Sequence, residues 1–253
     1  MKDKVREIVA RFVEEYQNDD SVKTRWKQPV VGFADARHQQ VGEFRELIKK
    51  DHFLPEEILA DPTVVICYFI PFREEIGDSN IPGGAGEPSD TWALAYKETN
   101  EMMAALNQHL VDELAKLGHR AAFKPNDQLF SDTNLRSRWS HRHFAYLAGL
   151  GTFGINNMLI TKNGCCGRFN SITAAIPVEP DQPLANEKCL YKAKGICKVC
   201  IRRCTVEALT LEGFDRRKCS DTCDRTPLYG HGTCGKCVVN LPCSYKDPLK
   251  GIN

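Results

Sequence analysis

Twelve of the 253 residues are cysteine, and nine of them fall between Cys189 and Cys243. Thiols at that density form disulfides, bind zinc or hold iron–sulfur clusters. Their order is Cys189-x7-Cys197-x2-Cys200-x3-Cys204, then Cys219 and Cys223, then Cys234-x2-Cys237-x5-Cys243. Disulfides need an oxidising compartment, and the N-terminal stretch MKDKVREIVARFVEEYQ alternates charged with apolar side chains and carries neither a signal-peptide core nor a cleavage site. The longest apolar run, residues 63–72, is interrupted by Pro71 and is too short to span a bilayer. The expectation is a cytoplasmic chain with no membrane segment, whose thiols are reduced and ligate metal. Two Cys-x2-Cys pairs, Cys197/Cys200 and Cys234/Cys237, fit a zinc ribbon, which would leave Cys189, Cys204, Cys219 and Cys243 for a second zinc.

The alternative is iron. The spacing Cys197-x2-Cys200-x3-Cys204 resembles the last three positions of the two-cluster ferredoxin run, C-x2-C-x2-C-x3-C-P, whose fourth cysteine serves the neighbouring cluster. Thr205 stands where proline is usual, and the first spacing is seven rather than two. The continuation Ala208 to Gly213 (ALTLEG) resembles the turn that follows the run in ferredoxins. That resemblance implies one [4Fe–4S] cluster on Cys189, Cys197, Cys200 and Cys243 and another on Cys204, Cys219, Cys234 and Cys237. Cys223 is left without a role. Residues 186–253 carry 13 Lys and Arg against 7 Asp and Glu, and few aliphatic side chains. Metal centres would hold such a segment together in place of a core. Its surplus cations suit anionic clusters; with a whole-chain net charge of +1, nucleic acid is an unlikely partner.

The rest of the chain is 42% hydrophobic overall and able to bury a core. Val5, Ile8, Val9, Phe12, Val13 and Tyr16 give one apolar helical face, and Phe44, Leu47 and Ile48 a shorter one. PTVVICYFI (62–70) reads as a buried strand in which Cys67 is a small hydrophobe. The Gly/Pro-rich stretch 78–90 is a loop, either a functional lid or a connection, before a long helix from about Asp90 to Leu117. A strand over 119–124, a helix over 139–148 and strands over 158–161 and 168–178 follow. The polar stretch 179–187 divides a domain of residues 1–182 from one of residues 183–253.

Between these lies Ala145-Tyr-Leu-Ala-Gly149-Leu-Gly151-Thr-Phe-Gly154-Ile-Asn156. With the cysteine module after it, this segment resembles the epoxyqueuosine reductases and their relatives, the corrinoid-dependent reductive dehalogenases, over roughly residues 55–245. Gly149-x-Gly151-x-x-Gly154 also matches a dinucleotide fingerprint, but a helix precedes it and a strand follows, the reverse of what that motif needs. The resemblance implies an α+β fold: a nitroreductase-like α/β domain followed by a double-cluster ferredoxin-like domain, with cobalamin bound between them. In the family register the catalytic aspartate falls on Leu135, with Arg138 and His141 at the proline and glutamate positions and Asp132 close by. Asp132, His141 and Arg142 are the catalytic candidates, with Arg136 and His143 beside them. Gly149, Gly151, Gly154, Arg168, Asn170 and Ser171 are expected to border the cofactor. The stretch from Trp92 through Tyr96 to Asn100 is a further source of polar groups. The vicinal pair Cys165-Cys166 has no family counterpart. The chain ends ten residues after Cys243, so the family's tRNA-binding helical extension does not carry over, nor does the twin-arginine signal of exported dehalogenases.

The expected function is an iron–sulfur reductase that passes single electrons through two [4Fe–4S] clusters to a buried cofactor or to a small-molecule or corrinoid substrate. Its donor would be a ferredoxin or flavodoxin. The competing readings are a non-catalytic electron-transfer or corrinoid-reducing partner protein and a zinc-stabilised binding module.

Overall fold

The computed structural model describes residues 1–129, 135–225 and 227–251. The elements run α1 (Lys2–Gln17), β1 (Val30–Asp35), α2 (Gln39–Leu47), β2 (Val64–Pro71), α3 (Glu74–Ser79), α4 (Asp90–Lys116), β3 (Arg120–Ala122), α5 (His141–Leu147), β4 (Gly151–Phe153), β5 (Leu159–Thr161) and β6 (Gly167–Ala175). The cysteine-rich segment adds α6 (Leu190–Lys194), α7 (Val199–Arg202) and α8 (Arg216–Cys223). The fold is mixed α+β, built on an antiparallel sheet of order β1-β2-β6-β3 with a separate β4-β5 hairpin. No helix among the described residues is long and apolar enough to cross a membrane.

β2 is buried along its whole length because both faces of the sheet are covered. Val64, Ile66, Tyr68 and Ile70 point to one side, against Val5, Ile8 and Val9 of α1 and Met102, Leu106 and Leu110 of α4. Val65 and Cys67 point to the other, with Val41 and Phe44 of α2 and Phe144 and Leu147 of α5. The alternation of a strand thus persists inside an unbroken apolar run. The long helix begins where Ser89 caps it, its Oγ accepting the Trp92 N–H at 3.1 Å.

β1 is the element that the sequence pattern does not announce. Its centre is Gly32, a poor strand residue taken alone. A Cβ there would come within 2.8 Å of both the Ala148 carbonyl and the Leu150 side chain, so glycine lets the end of α5 lie directly on the strand. β1 is also an edge strand, and Asp181 covers it: its Oδ2 accepts the Phe33 N–H at 2.9 Å, its own N–H reaches the Phe33 carbonyl, and its carboxylate pairs with Lys2.

The cysteine-rich segment does not stand apart. Cys189, Val238 and Val239 join the main core, and Cys200, Leu209 and Leu241 form a small cluster of their own. The ALTLEG turn closes as a bridge between Leu209 and Phe214.

Gly32→Ala should lower stability by about 1–3 kcal/mol, the usual range for inserting a methyl group into a filled site. Thermal unfolding of the variant against the wild type measures it.

Candidate functional site

Five thiols gather beneath the loop that joins α3 to α4. Cys219 and Cys223 lie one turn apart on α8 with their thiols in hydrogen-bond contact, and Cys223 also receives the Cys234 backbone N–H. Cys204, Cys234 and Cys237 complete the group; burial and the neighbouring Cys234 and Cys204 push the Cys237 thiol up to about 12. The 78–90 loop acts as a strap over them. Gly86 N–H donates to Cys234 Sγ at 3.3 Å, Ala85 N–H to Thr205 Oγ1 at 3.2 Å and Asn80 Nδ2 to the Cys234 carbonyl at 2.8 Å. Gly86 adopts a φ of +81°, and a Cβ on it would meet the Thr222 carbonyl at 2.4 Å, so the strap can lie this close only with glycine there. Lys236 reaches back under the strap to the Asn80 carbonyl at 2.9 Å and to that of Pro82, and Arg203 to that of Ile81 at 3.0 Å.

Cys189, Cys197, Cys200 and Cys243 line a second, much smaller cavity of about 20 Å³ beside Gly154, Ile155 and Asn156. Burial, then Cys243, Cys189 and Cys197, push the Cys200 thiol up to about 12. Without a positive charge at their centre, such thiols stay protonated; a bound metal centre supplies that charge and takes them as thiolates. Cys165 sits at the edge of this group, its Sγ 4.0 Å from Cys243 Sγ. Asn156 joins the two thiol groups, with Nδ2 3.8 Å from Cys165 Sγ and 3.1 Å from the Cys237 carbonyl. In both groups the thiols surround space; among the described residues, no three His, Cys, Asp or Glu side chains draw together as ligands of a single ion.

The five-thiol group opens onto a larger cavity of about 400 Å³. Trp92 and Tyr96 of α4, Arg142 of α5, Asn157 and Met158, and Gly167 and Arg168 of β6 line it together with the cysteines. The Arg168 guanidinium lies 4.0 Å over the Tyr96 ring and donates to Asn100 Oδ1 at 2.9 Å. Its charge holds the Tyr96 phenol below the ordinary tyrosine value despite burial. Arg142 Nη1 donates to the Asn157 carbonyl at 2.5 Å, and burial with Arg168 and Arg216 nearby pulls its pKa down to about 10.

The other expected site residues are divided among different places. Gly154 borders the smaller cavity, while Gly149 and Gly151 lie at close backbone approaches to Gln182 and Ile160. Asn170 and Ser171 lie inside the fold: Asn170 Oδ1 accepts the Ser171 N–H at 2.7 Å, and Ser171 Oγ meets Trp139 Nε1 at 3.0 Å and His141 Nδ1 at 2.8 Å. His141 is therefore engaged beneath α5, and His143 pairs with Ser140 Oγ at 2.7 Å between Phe44 and Phe153. Arg136 donates to the Ile48 carbonyl at 2.6 Å. Asp132 lies outside the described residues. Sequence reasoning did not single out Arg216, or the strap as a partner of the thiols. The cluster of contacts on Asn80, Ala85 and Gly86 has no signature beyond the density of glycine and proline.

Solved structures share this fold. Epoxyqueuosine reductase from Streptococcus thermophilus superposes with a TM-score of 0.56 at 16% identity, covering 94% of this chain and 68% of that one. The enzyme from Bacillus subtilis gives 0.56 at 16% identity over 97% of this chain and 70% of that one. A reductive dehalogenase whose structure is described for B12-dependent dehalogenation gives 0.55 at 17% identity over 88% of this chain but 30% of its own length. The chain thus has the fold shared by epoxyqueuosine reductases and reductive dehalogenases. No protein-family model matches the sequence, and no curated protein does.

Burial pushes the imidazoles of His52, His141 and His143 down to about 4, 3 and 4. The fold keeps them neutral, whereas the unfolded chain takes up protons near 6.5. Their contribution to stability is complete above pH 6.5 and is lost as the pH falls towards 4. Denaturant unfolding across that window should show stability decreasing with acid, with a shallower slope in His143→Gln.

Proposed function

We propose that the chain is an iron–sulfur reductase that holds two [4Fe–4S] clusters, one on Cys189, Cys197, Cys200 and Cys243 and one on Cys204, Cys219, Cys234 and Cys237, and that reduces a group bound in the large cavity. The observation that carries this reading is the adjacency of the two thiol groups across Asn156, with the second group opening onto that cavity. Thiols that line a space suit a four-iron cubane, which sets its thiolates further apart than a single zinc does. Bound clusters supply one-electron transfer; the chain supplies their ligands and the N–H donors that set their potential, such as Gly86 N–H on Cys234 Sγ.

The cavity, of about 400 Å³, lies within the span of about 300–1,000 Å³ usual for a small-molecule pocket and has room for a bound organic group. The B12-dependent dehalogenation described for one structural neighbour supports cobalamin as that group. Phe72, Trp92 and Met158 would give it an apolar wall, and bound cobalamin would supply a strongly reducing, nucleophilic metal. Tyr96 holds a proton at its phenol on the same wall, and Arg168 stabilises the phenolate left when that proton is given up. Next to Cys197 in the chain, the exposed Lys192, Lys194 and Lys198 flank Ile196, which is 68% exposed. This basic rim with an apolar centre suits an acidic electron carrier such as a ferredoxin or flavodoxin.

Cys243→Ser should remove one of two cluster signals from the electron paramagnetic resonance spectrum of the dithionite-reduced protein, and iron should fall from about eight to about four per chain. Cys204→Ser should remove the other signal. Loss of the same signal in both variants would overturn the ligand partition.

A further inference from the structure

Among the described residues, the charged side chains that line the large cavity are all cationic. Arg142, Arg168, Arg203, Arg216 and Lys236 border it, and no Asp or Glu does among the described residues. None of these five cations forms an ion pair among the described residues, whereas Arg6, Arg11, Arg45, Arg73 and Arg138 do so elsewhere. Arg203 and Lys236 are tied to carbonyls of the strap beside Cys204 and Cys234, where they offset the charge of thiolates. Arg142 and Arg168 differ, because they rise from α5 and β6 and neither is tied to a carbonyl of the strap. Each guanidinium carries five N–H donors. One nitrogen of Arg142 is spent on the Asn157 carbonyl and the Met158 sulfur, and Arg168 donates to Asn100 and to the Tyr96 hydroxyl. Two partly satisfied guanidinium groups that repel each other in a secluded space are relieved by an anion placed between them.

We propose that the cavity recognises its organic substrate through an oxyanion, a carboxylate or phosphate group, gripped by Arg142 and Arg168. The proposal rests on the reductase reading in taking this cavity as the reaction site. The planar guanidinium fork matches the two oxygens of such a group better than an ammonium does. Phe72, Trp92, Leu209 and Phe214 offer apolar surface to the organic body behind the anion. In this arrangement the substrate's charge lies next to the Arg168–Tyr96 pair, so binding and the proton on Tyr96 are set by the same guanidinium.

The test is calorimetric titration of the anaerobically prepared, iron-loaded full chain with benzoate, inorganic phosphate and neutral benzamide. Benzoate or phosphate should bind and benzamide should not. Arg142→Gln and Arg168→Gln should each weaken the anion by about tenfold or more, and Arg142→Lys and Arg168→Lys should restore part of the loss, with iron content unchanged. Equal binding of benzamide and benzoate, or binding of neither anion by the wild type, overturns the proposal without any variant. So does a variant that shifts a cluster potential while leaving anion affinity unchanged, because the arginine then serves the cluster. Displacement of benzoate by cobalamin assigns the two arginines to a cofactor phosphate and overturns the substrate assignment. Protein that takes up no iron under anaerobic reconstitution yet binds benzoate with the same arginine dependence upholds the anion site while refuting the iron–sulfur reductase reading.

Discussion

The cysteine-rich segment has too little apolar surface to shape itself, so the positions of its thiols depend on hydrogen bonds to the sheet-bearing part of the chain. Cys165 N–H donates to the Cys243 carbonyl at 2.9 Å and Cys166 N–H to that of Ser244 at 2.9 Å, which fixes the last thiol of the first group against the end of β6. Trp92 Nε1 donates to Thr233 Oγ1 at 2.9 Å and Asn80 to the Cys234 carbonyl, which fixes the second group against α4 and the strap. A buried hydrogen bond contributes about 0.5–1.5 kcal/mol net, but a group left unpaired costs about 1–3 kcal/mol, so these contacts enforce one geometry more than they add stability. Each thiol group also has one cysteine beyond its four proposed ligands, Cys165 beside Cys243 and Cys223 beside Cys219.

Electrostatics follows from that geometry. Buried thiols with raised pKa values, and a cavity whose charged lining among the described residues is cationic, are both unfavourable until something of opposite charge arrives. Iron in the proposed clusters would answer the first and the proposed anion the second, with the Arg168–Tyr96 pair lining the cavity that both adjoin.

Much of this was legible in the sequence, for physical reasons. The helices at Lys2–Gln17 and Asp90–Lys116 and the buried strand at Val64–Pro71 carry long, strongly periodic or strongly apolar patterns that tertiary context only reinforces. The α+β class and the likeness to epoxyqueuosine reductase and dehalogenase folds followed from the order of strand, glycine segment and cysteines. β1 was illegible because Gly32 is explained only by the approach of Ala148, far away in sequence. Arg168 and Arg142 were singled out and do reach one cavity, but Asn170, Ser171 and His141, read from the same local stretches, turn inward to bond one another. Whether a polar side chain faces a cavity or the core is decided by the strand's register and the helix's rotation, which a spacing argument on short segments does not determine.

The central claim is that two four-iron clusters sit on these thiols. Mössbauer spectroscopy of protein prepared without oxygen from isotopically enriched iron tests it most directly. The account predicts two equally populated [4Fe–4S] centres and about eight irons per chain. Stoichiometric zinc with no cluster signal would contradict it.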